Sequence, residues 1–434
     1  MTKKSILFFA LVLTLTISMG SFVNTLAQPQ LPAETSEAAI TKILKVPYGT
    51  DIPEDMSFEF TVTAVAEDEG EPTEDMPVIG EKGVVTINIG KSHELEDTVG
   101  DVDSYYLESD ELFEDVDWPH AGVYEYSIKE TSGTYKVNTT PPPTEIIEYS
   151  EAEYTVIVYV LENEEGELEI SHIAAVKITD DDGEPIQEDE QDKTDPTPGG
   201  GNNTENEYSQ MIFVNTYVLT NDGTDPKNPD DWTLAIGKKV CGNFSDSSVY
   251  FEYTMTVTAP SLLSGNPVYK AYVVKEDPKK PGTYEIDTSP DNGAESGNDY
   301  IEFISGTEMK FSLKHGQHLV FLDAPVGLSY TITETGTSGY TPSVTVKYDN
   351  TLSEKDNTTG SVGSSLSLPN KVIKSSMLHV SKDGSSADFL NDRGTITPTG
   401  LNIKTLPFIG MIILAIMVFA GYILSKHFKY SKHN

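Results

Sequence analysis

Tyr124-Glu125-Tyr126-Ser127-Ile128-Lys129-Glu130 decides the reading of the fold. Its large apolar side chains stand at every second position, and a period of two puts them on one face of a half-buried strand. The same alternation runs through Phe58-Glu59-Phe60-Thr61-Val62 and Tyr154-Thr155-Val156-Ile157-Val158-Tyr159. It returns in Tyr250-Phe251-Glu252-Tyr253-Thr254-Met255-Thr256-Val257 and in Tyr330-Thr331-Ile332-Thr333-Glu334. Turn residues separate these runs, and no long helical period lies between the two chain ends. The pattern is that of an all-β protein built from β-sandwiches.

Two domains account for the runs. The first spans 38–219 behind a flexible leader at 28–37, and the second spans 232–395. A connector rich in Pro and Asp, 220–231, joins them. Within the first domain, 180–207 is rich in Asp, Glu, Gly, Pro and Asn and reads as a long exposed acidic loop, since Phe213-Val214-Asn215 still belongs to that domain. Asp180-Asp181-Asp182-Gly183 resembles part of a calcium loop, but the first ligand position would fall on Ile178. A solvated acidic loop is therefore the reading, and no metal or cofactor is expected.

Residues 1–27 open with Lys3 and Lys4, continue as an apolar run from Ile6 to Ile17 and finish in small residues at Ala27. This is the layout of a secretory signal peptide cut before Gln28. An N-terminal membrane helix is the plain alternative, and the short apolar core argues against it. Residues 406–425 are almost wholly apolar and long enough to cross a hydrocarbon layer of roughly 30 Å. Lys426, Lys429 and Lys432 follow in the tail 426–434, which places that tail in the cytoplasm and the preceding chain outside.

Upstream of the apolar segment stands Ile396-Thr397-Pro398-Thr399-Gly400. A Pro-Thr-Gly pentapeptide, an apolar helix and a basic tail resemble the cell-wall sorting signal cut by sortases, with Thr397 in the place usually held by Leu. The resemblance implies cleavage between Thr399 and Gly400. Without it, the segment is a permanent single-pass anchor.

The chain carries 69 Asp and Glu against 29 Lys and Arg, a formal charge of -40. Such a surface repels nucleic acid. Cys241 is the only cysteine, which forbids an intrachain disulfide. No zinc-protease motif, nucleophile elbow or phosphate loop is present, so a surface enzyme has little support.

Each half repeats three elements in one order: a strand with Lys near its start, a later strand ending in Glu, and a final strand with Phe-any-Asn. The first half supplies Lys42 in Ile40-Thr41-Lys42-Ile43-Leu44, Glu130 and Asn215. The second supplies Lys238 in Leu234-Ala235-Ile236-Gly237-Lys238, Glu334 and Asn391. Period two puts Lys42 on the face of Ile40 and Leu44, and Lys238 on that of Ile236 and Val240. Lys45 and Lys239 then face solvent. Burial favours a neutral amine and a protonated acid. A neutral amine held against a carboxamide can displace ammonia while the Glu moves protons, giving a Lys-Asn isopeptide bond. A chance set of strand residues and an ion pair without bond formation are the alternatives.

Both halves resemble the isopeptide-forming domains of Gram-positive shaft (major) pilins. The resemblance is strongest in Pro119-His120-Ala121-Gly122-Val123-Tyr124 through Glu130, in Ala324-Pro325-Val326-Gly327-Leu328-Ser329-Tyr330 through Glu334, and in the two Phe-any-Asn ends. It implies two tandem immunoglobulin-like, collagen-adhesin-B-like sandwiches. It also implies a bond from Lys42 to Asn215 catalysed by Glu130, and one from Lys238 to Asn391 catalysed by Glu334. Ser171-His172-Ile173-Ala174-Ala175-Val176-Lys177 resembles the segment that carries the intermolecular acceptor, which makes Lys177 the candidate; a solvated surface charge is the plain alternative. The expected partners are a sortase, other copies of this chain in a fibre, peptidoglycan and host receptors. The expected place is the cell surface, in a pilus or on the wall. A wall-anchored adhesin or minor pilin that is not polymerised is the second reading.

Overall fold

The computed structural model describes residues 35–68, 70–138, 144–187, 190–191, 193–200, 207–220, 223–295, 297–348, 351–352, 357–374, 386–394 and 406–430. The signal peptide, the sorting motif with Thr399 and Gly400, and the end of the basic tail lie outside the described residues.

Among the described residues the first half supplies β1 (Thr41–Pro47), β2 (Met56–Glu67), β3 (Val84–Ile89), β4 (Asp97–Val99), β5 (Val102–Glu108), β6 (Gly122–Thr131), β7 (Thr144–Glu148), β8 (Glu153–Glu162), β9 (Leu168–Thr179), β10 (Lys193–Thr194) and β11 (Ile212–Thr220). They form one sheet in the order β4-β5-β1-β11-β7 and another in the order β10-β9-β8-β6-β2-β3. The inner faces share one core: Leu44, Phe213 and Tyr217 from the first sheet meet Phe58, Phe60, Tyr126 and Val156 from the second. Phe60 and Phe213 touch edge to face at 5.0 Å between centroids. Alternation drives this arrangement: on β6, Tyr124, Tyr126 and Ile128 are buried while Lys129 is exposed on the outer face.

The second half supplies β12 (Leu234–Cys241), β13 (Phe251–Thr258), β14 (Val268–Glu276), β15 (Tyr284–Ile286), β16 (Ile301–Ile304), β17 (Glu308–Leu313), β18 (Gln317–Phe321), β19 (Ser329–Glu334), β20 (Thr341–Tyr348), β21 (Thr351–Leu352), β22 (Thr358–Thr359), β23 (Leu366–Val372) and β24 (Ser386–Asp392). A large sheet, β15-β14-β18-β12-β24-β20-β21, faces a smaller one, β17-β13-β19-β23. Tyr253 meets Phe389 across the two at 5.3 Å. Among the described residues the chain is thus β-built, apart from three short 3-10 turns, up to its last segment. There α1 (Leu406–Tyr430) stands on the apolar run. Among the described residues no helix is long and apolar enough to cross a membrane.

Three segments are more structured than the sequence suggests. Thr35 is buried and bridges Ile173, so the end of the leader already belongs to the first sandwich. Within the acidic loop, Lys193 and Thr194 pair with Val176 and Ala175 as an edge strand. The connector lies against the second domain, where Gly223 N–H donates to Leu322 O and the Trp232 indole donates to Pro226 O.

The two sandwiches meet end to end. Val326 of the second is fully buried in the core of the first, and its N–H donates to Leu219 O at 2.9 Å. Asp101 accepts both the N–H and the hydroxyl of Ser261 at 2.7 Å. Gly327 has φ of 84°, and a Cβ there would lie 2.3 Å from Pro47 Cβ, so the junction requires glycine on both counts.

Candidate functional site: two buried Lys-Glu-Asn sets

In each sandwich the first strand is central to its sheet and lies parallel to the last. Lys42 is in register with Phe213, and Leu44 with Asn215. Lys238 is in register with Phe389, and Val240 with Asn391. The asparagine therefore stands two residues beyond the lysine on the neighbouring strand and on the same inner face. That offset is roughly 6.6 Å along the strand, which a lysine side chain covers. The Glu comes from the facing sheet, where Glu130 pairs with Phe60 and Glu334 with Tyr253.

The three side chains of each set converge. Lys42 Nζ lies 2.6 Å from Glu130 Oε2, with both side chains fully buried. Asn215 Nδ2 donates to Glu130 Oε1 at 2.8 Å. In the second domain Lys238 Nζ lies 2.8 Å from Glu334 Oε2, and Asn391 Nδ2 contacts Glu334 Oε1 at 2.5 Å. Each carboxyl thus bridges the amine to the amide, one oxygen to each.

Aromatic rings close the sites against water. Lys42 Nζ stands over Phe58 at 4.9 Å and Phe60 at 5.7 Å; Lys238 Nζ stands over Phe251 at 4.0 Å and Tyr253 at 5.8 Å. Burial drags the Lys42 amine down to about 8, against the upward pull of Glu130 and Asp181. It does the same to Lys238, also to about 8, against Glu334. Burial pushes the Glu130 carboxyl up, opposed by Lys42 and Asn215. Both changes move the pair toward neutral amine and neutral acid, the combination that can react.

The two sites differ in their remaining polar partners. Asn215 Oδ1 accepts the Ser150 N–H at 2.7 Å, and the Ser150 hydroxyl is held by Asp181. Asn391 Oδ1 is buried with no partner among the described residues. Instead, the Tyr253 hydroxyl reaches Glu334 Oε2 at 3.0 Å, where the first site has only the ring of Phe60. Sequence reasoning missed all three of these groups. Only Tyr253 carried a signal, as the one hydroxyl that differs when Phe58-Glu59-Phe60 is laid beside Phe251-Glu252-Tyr253.

The other sequence candidates are placed as follows. Lys239 is exposed and Lys45 half-buried. Lys177 lies on β9, half-buried, with Nζ 2.7 Å from Asp181 Oδ2 and over the Tyr154 ring at 5.5 Å. Asp180 caps its own turn through the N–H groups of Asp182 and Glu184, while Asp181 turns inward to Lys177, Ser150 and Val214. Among the described residues no cluster could hold a metal ion.

Two family models match parts of the chain. Residues 38–218 match the FctA model, described as the Spy0128-like isopeptide containing domain. Residues 232–364 match a model described as a domain of unknown function, DUF7601. Similar solved structures include the major pilin from Streptococcus pyogenes, 18% identical, covering 83% of this chain and 99% of that one with a TM-score of 0.28. The major pilin protein T-13 from the same organism is 16% identical, covering 84% and 100% with a TM-score of 0.28. The pilus-presented adhesin Spy0125 (Cpa) is 11% identical, covering 81% and 99% with a TM-score of 0.22. No curated protein matches the chain.

Proposed function

We propose that this chain, whose residues 38–218 match the Spy0128-like isopeptide domain model, is a pilus shaft subunit of a Gram-positive bacterium locked by two internal Lys-Asn bonds. The observation that carries the reading is the repeated register of the two sets: lysine opposite the Phe of Phe-any-Asn, on parallel neighbouring strands. The second set extends the chemistry to a domain whose family model stops at residue 364, short of the strand that holds Asn391.

The chemistry is a condensation. The neutral amine attacks Asn Cγ, forming the N–C bond while the carbonyl electron pair moves to Oδ1. One proton passes from Nζ to the carboxyl and one from the carboxyl to the departing Nδ2. The C–N bond breaks, ammonia leaves and the carboxyl is restored. Proximity supplies most of the rate, with effective molarities on the order of 10⁵ M for aligned groups. Each Glu acts once on its own chain, so the protein is structural rather than an enzyme with turnover.

The fold gives the bonds a mechanical purpose. β1 runs from the free end of the first sandwich toward the junction, and β24 runs from the junction to the free end of the second. With Lys177 as acceptor, tension enters on β9, follows the backbone through Asn215 to Lys238, crosses to Asn391 and leaves through Arg393. The loop 239–390 carries none of it, and the Lys42-Asn215 bond ties β1 to the loaded strand β11. Export by the segment 1–27, cleavage at Thr399-Gly400 and temporary anchoring by 406–425 complete the reading, with Lys177 as acceptor.

One observation favours the second reading, an unpolymerised adhesin or minor pilin: Lys177 is already engaged by Asp181. Coexpression with a pilin sortase separates the two. A ladder of covalent multimers on a denaturing gel, lost on Thr399→Ala, is expected of a shaft subunit. Monomer alone favours the adhesin.

A further inference from the structure

The second site holds one hydroxyl more than the first and one amide contact fewer. Tyr253 is only 1% exposed, and Glu334 is its hydrogen-bond partner among the described residues. A buried hydroxyl with one oxygen beside it must donate, since its proton has nowhere else to go. Glu334 Oε2 therefore receives two donors, the Tyr253 hydroxyl at 3.0 Å and Lys238 Nζ at 2.8 Å.

With the Nζ lone pair aimed at Asn391 Cγ, an amine N–H and the Tyr253 hydroxyl both donate to Oε2, so in the neutral acid the proton sits on Oε1. That oxygen lies 2.5 Å from the Asn391 amide. The contact is too short for N–H···O and falls at the short end of the O–H···O range. An amide's two ends exchange by a half-turn, and the assignment follows from the partners. With the amide turned, Oδ1 takes the Glu334 proton, and Nδ2 comes to the buried position that has no hydrogen-bond partner among the described residues. The carbonyl is then polarised for attack by Lys238.

We propose that Tyr253 is the positioning residue of the second condensation: by donating to Glu334 Oε2 it fixes the acid proton on Oε1, aimed at the Asn391 carbonyl. In the first site Ser150 N–H holds the amide oxygen directly at 2.7 Å, and Phe60 has no hydroxyl to contribute. The two bonds thus form with different polar help. This inference rests on the condensation proposed above.

The test uses the full chain and its Tyr253→Phe variant, each unfolded before reaction and refolded in detergent across a range of pH. Intact mass follows ammonia loss, and peptide mapping assigns it to a domain. In the variant the second bond is expected to form about tenfold more slowly, as suits one lost contact in general acid catalysis. The first bond keeps its rate. The variant's pH profile for the second bond is expected to differ from the parent's while that of the first bond does not, because one donor to the proton carrier has been removed.

Equal rates and profiles in the two proteins overturn the role of Tyr253 and leave the condensation standing. A variant whose second domain never closes on long incubation makes Tyr253 a folding residue and overturns the proposal. A wild-type chain that loses ammonia only from the first domain sinks the second condensation itself.

Discussion

Lys238 and Asn391 occupy neighbouring parallel strands, with the lysine in register two residues short of the asparagine and Glu334 bridging the two from the facing sheet. Lys42, Asn215 and Glu130 repeat that relationship in the first sandwich. The repeat is a property of register, and register in a sheet is fixed by which face is buried. A slip of one residue on β24 would turn Asn391 to solvent and leave a buried amine and acid with nothing to join.

Replacing Glu130 or Glu334 by Gln removes the proton carrier and is expected to stop one bond each. The open domain loses a cross-link that closes a loop of well over a hundred residues, worth about 5 kcal/mol on the chain-entropy relation. Each single variant should retain one ammonia and become sensitive to trypsin in the affected domain alone. Trypsin resistance of the variant equal to that of the parent would contradict the role of the bond.

Bond formation should depend on pH through the shared proton of each pair. The reactive arrangement, neutral amine with neutral acid, has the same proton count as the ion pair. Its population is therefore flat between the two titrations of the pair. Above about 8, where the amine holds no proton, the acid is also ionised and the rate is expected to fall. In acid the amine is charged and the rate falls again. A rate rising steadily through alkaline pH, followed by intact mass during refolding, would show that the Glu need not be protonated.

The same values fix how an unbonded domain responds to pH. Each lysine falls from an ordinary 10.5 to about 8 on folding. Between those values the unfolded chain binds the extra proton, so stability rises with pH across that window. In Asn215→Ala, which keeps the amine and acid but cannot condense, the midpoint of urea unfolding of the first domain should climb from about pH 8 toward 10.5. A midpoint that falls over this range would contradict a depressed Lys42.

Much of this site was legible in the sequence because a strand side chain faces one side or the other. Counting by two from Ile40 put Lys42 inside, and counting from Tyr124 put Glu130 inside; both side chains are fully buried. What was not legible comes from contacts far apart in the chain. Ser150 meets Asn215 through a backbone N–H that any residue would supply. Asp181 looked like one more charge in an acidic loop, yet it turns in to hold Lys177 and Ser150. The pairing of Lys193 with Val176 inside that loop rests on a free sheet edge that no local pattern announces.

Val326 shows the same limit at the junction. It sits in a run that carries the family resemblance, but its side chain belongs to the other domain's core. Val326→Asp buries a carboxylate there at a cost of several kcal/mol unless the domains part. Small-angle scattering is expected to show a broader distribution of lengths for the variant. An unchanged profile would remove Val326 from the account of the junction.

Lys177→Ala tests the acceptor and also the ion pair with Asp181. The pair is partly exposed, so its loss should cost no more than about 1 kcal/mol, and the fold should survive. With a pilin sortase present, the multimer ladder is expected to vanish. A ladder that persists would move the acceptor to another lysine while leaving the internal bonds untouched.

The internal bonds are the centre of the account, and the intact mass of the mature region 28–399 tests them most directly. Two condensations should make it lighter than its sequence by two ammonia, about 34 Da, with the loss mapped to the Lys42-Asn215 and Lys238-Asn391 peptide pairs. A mass equal to the unmodified sequence would contradict both bonds at once.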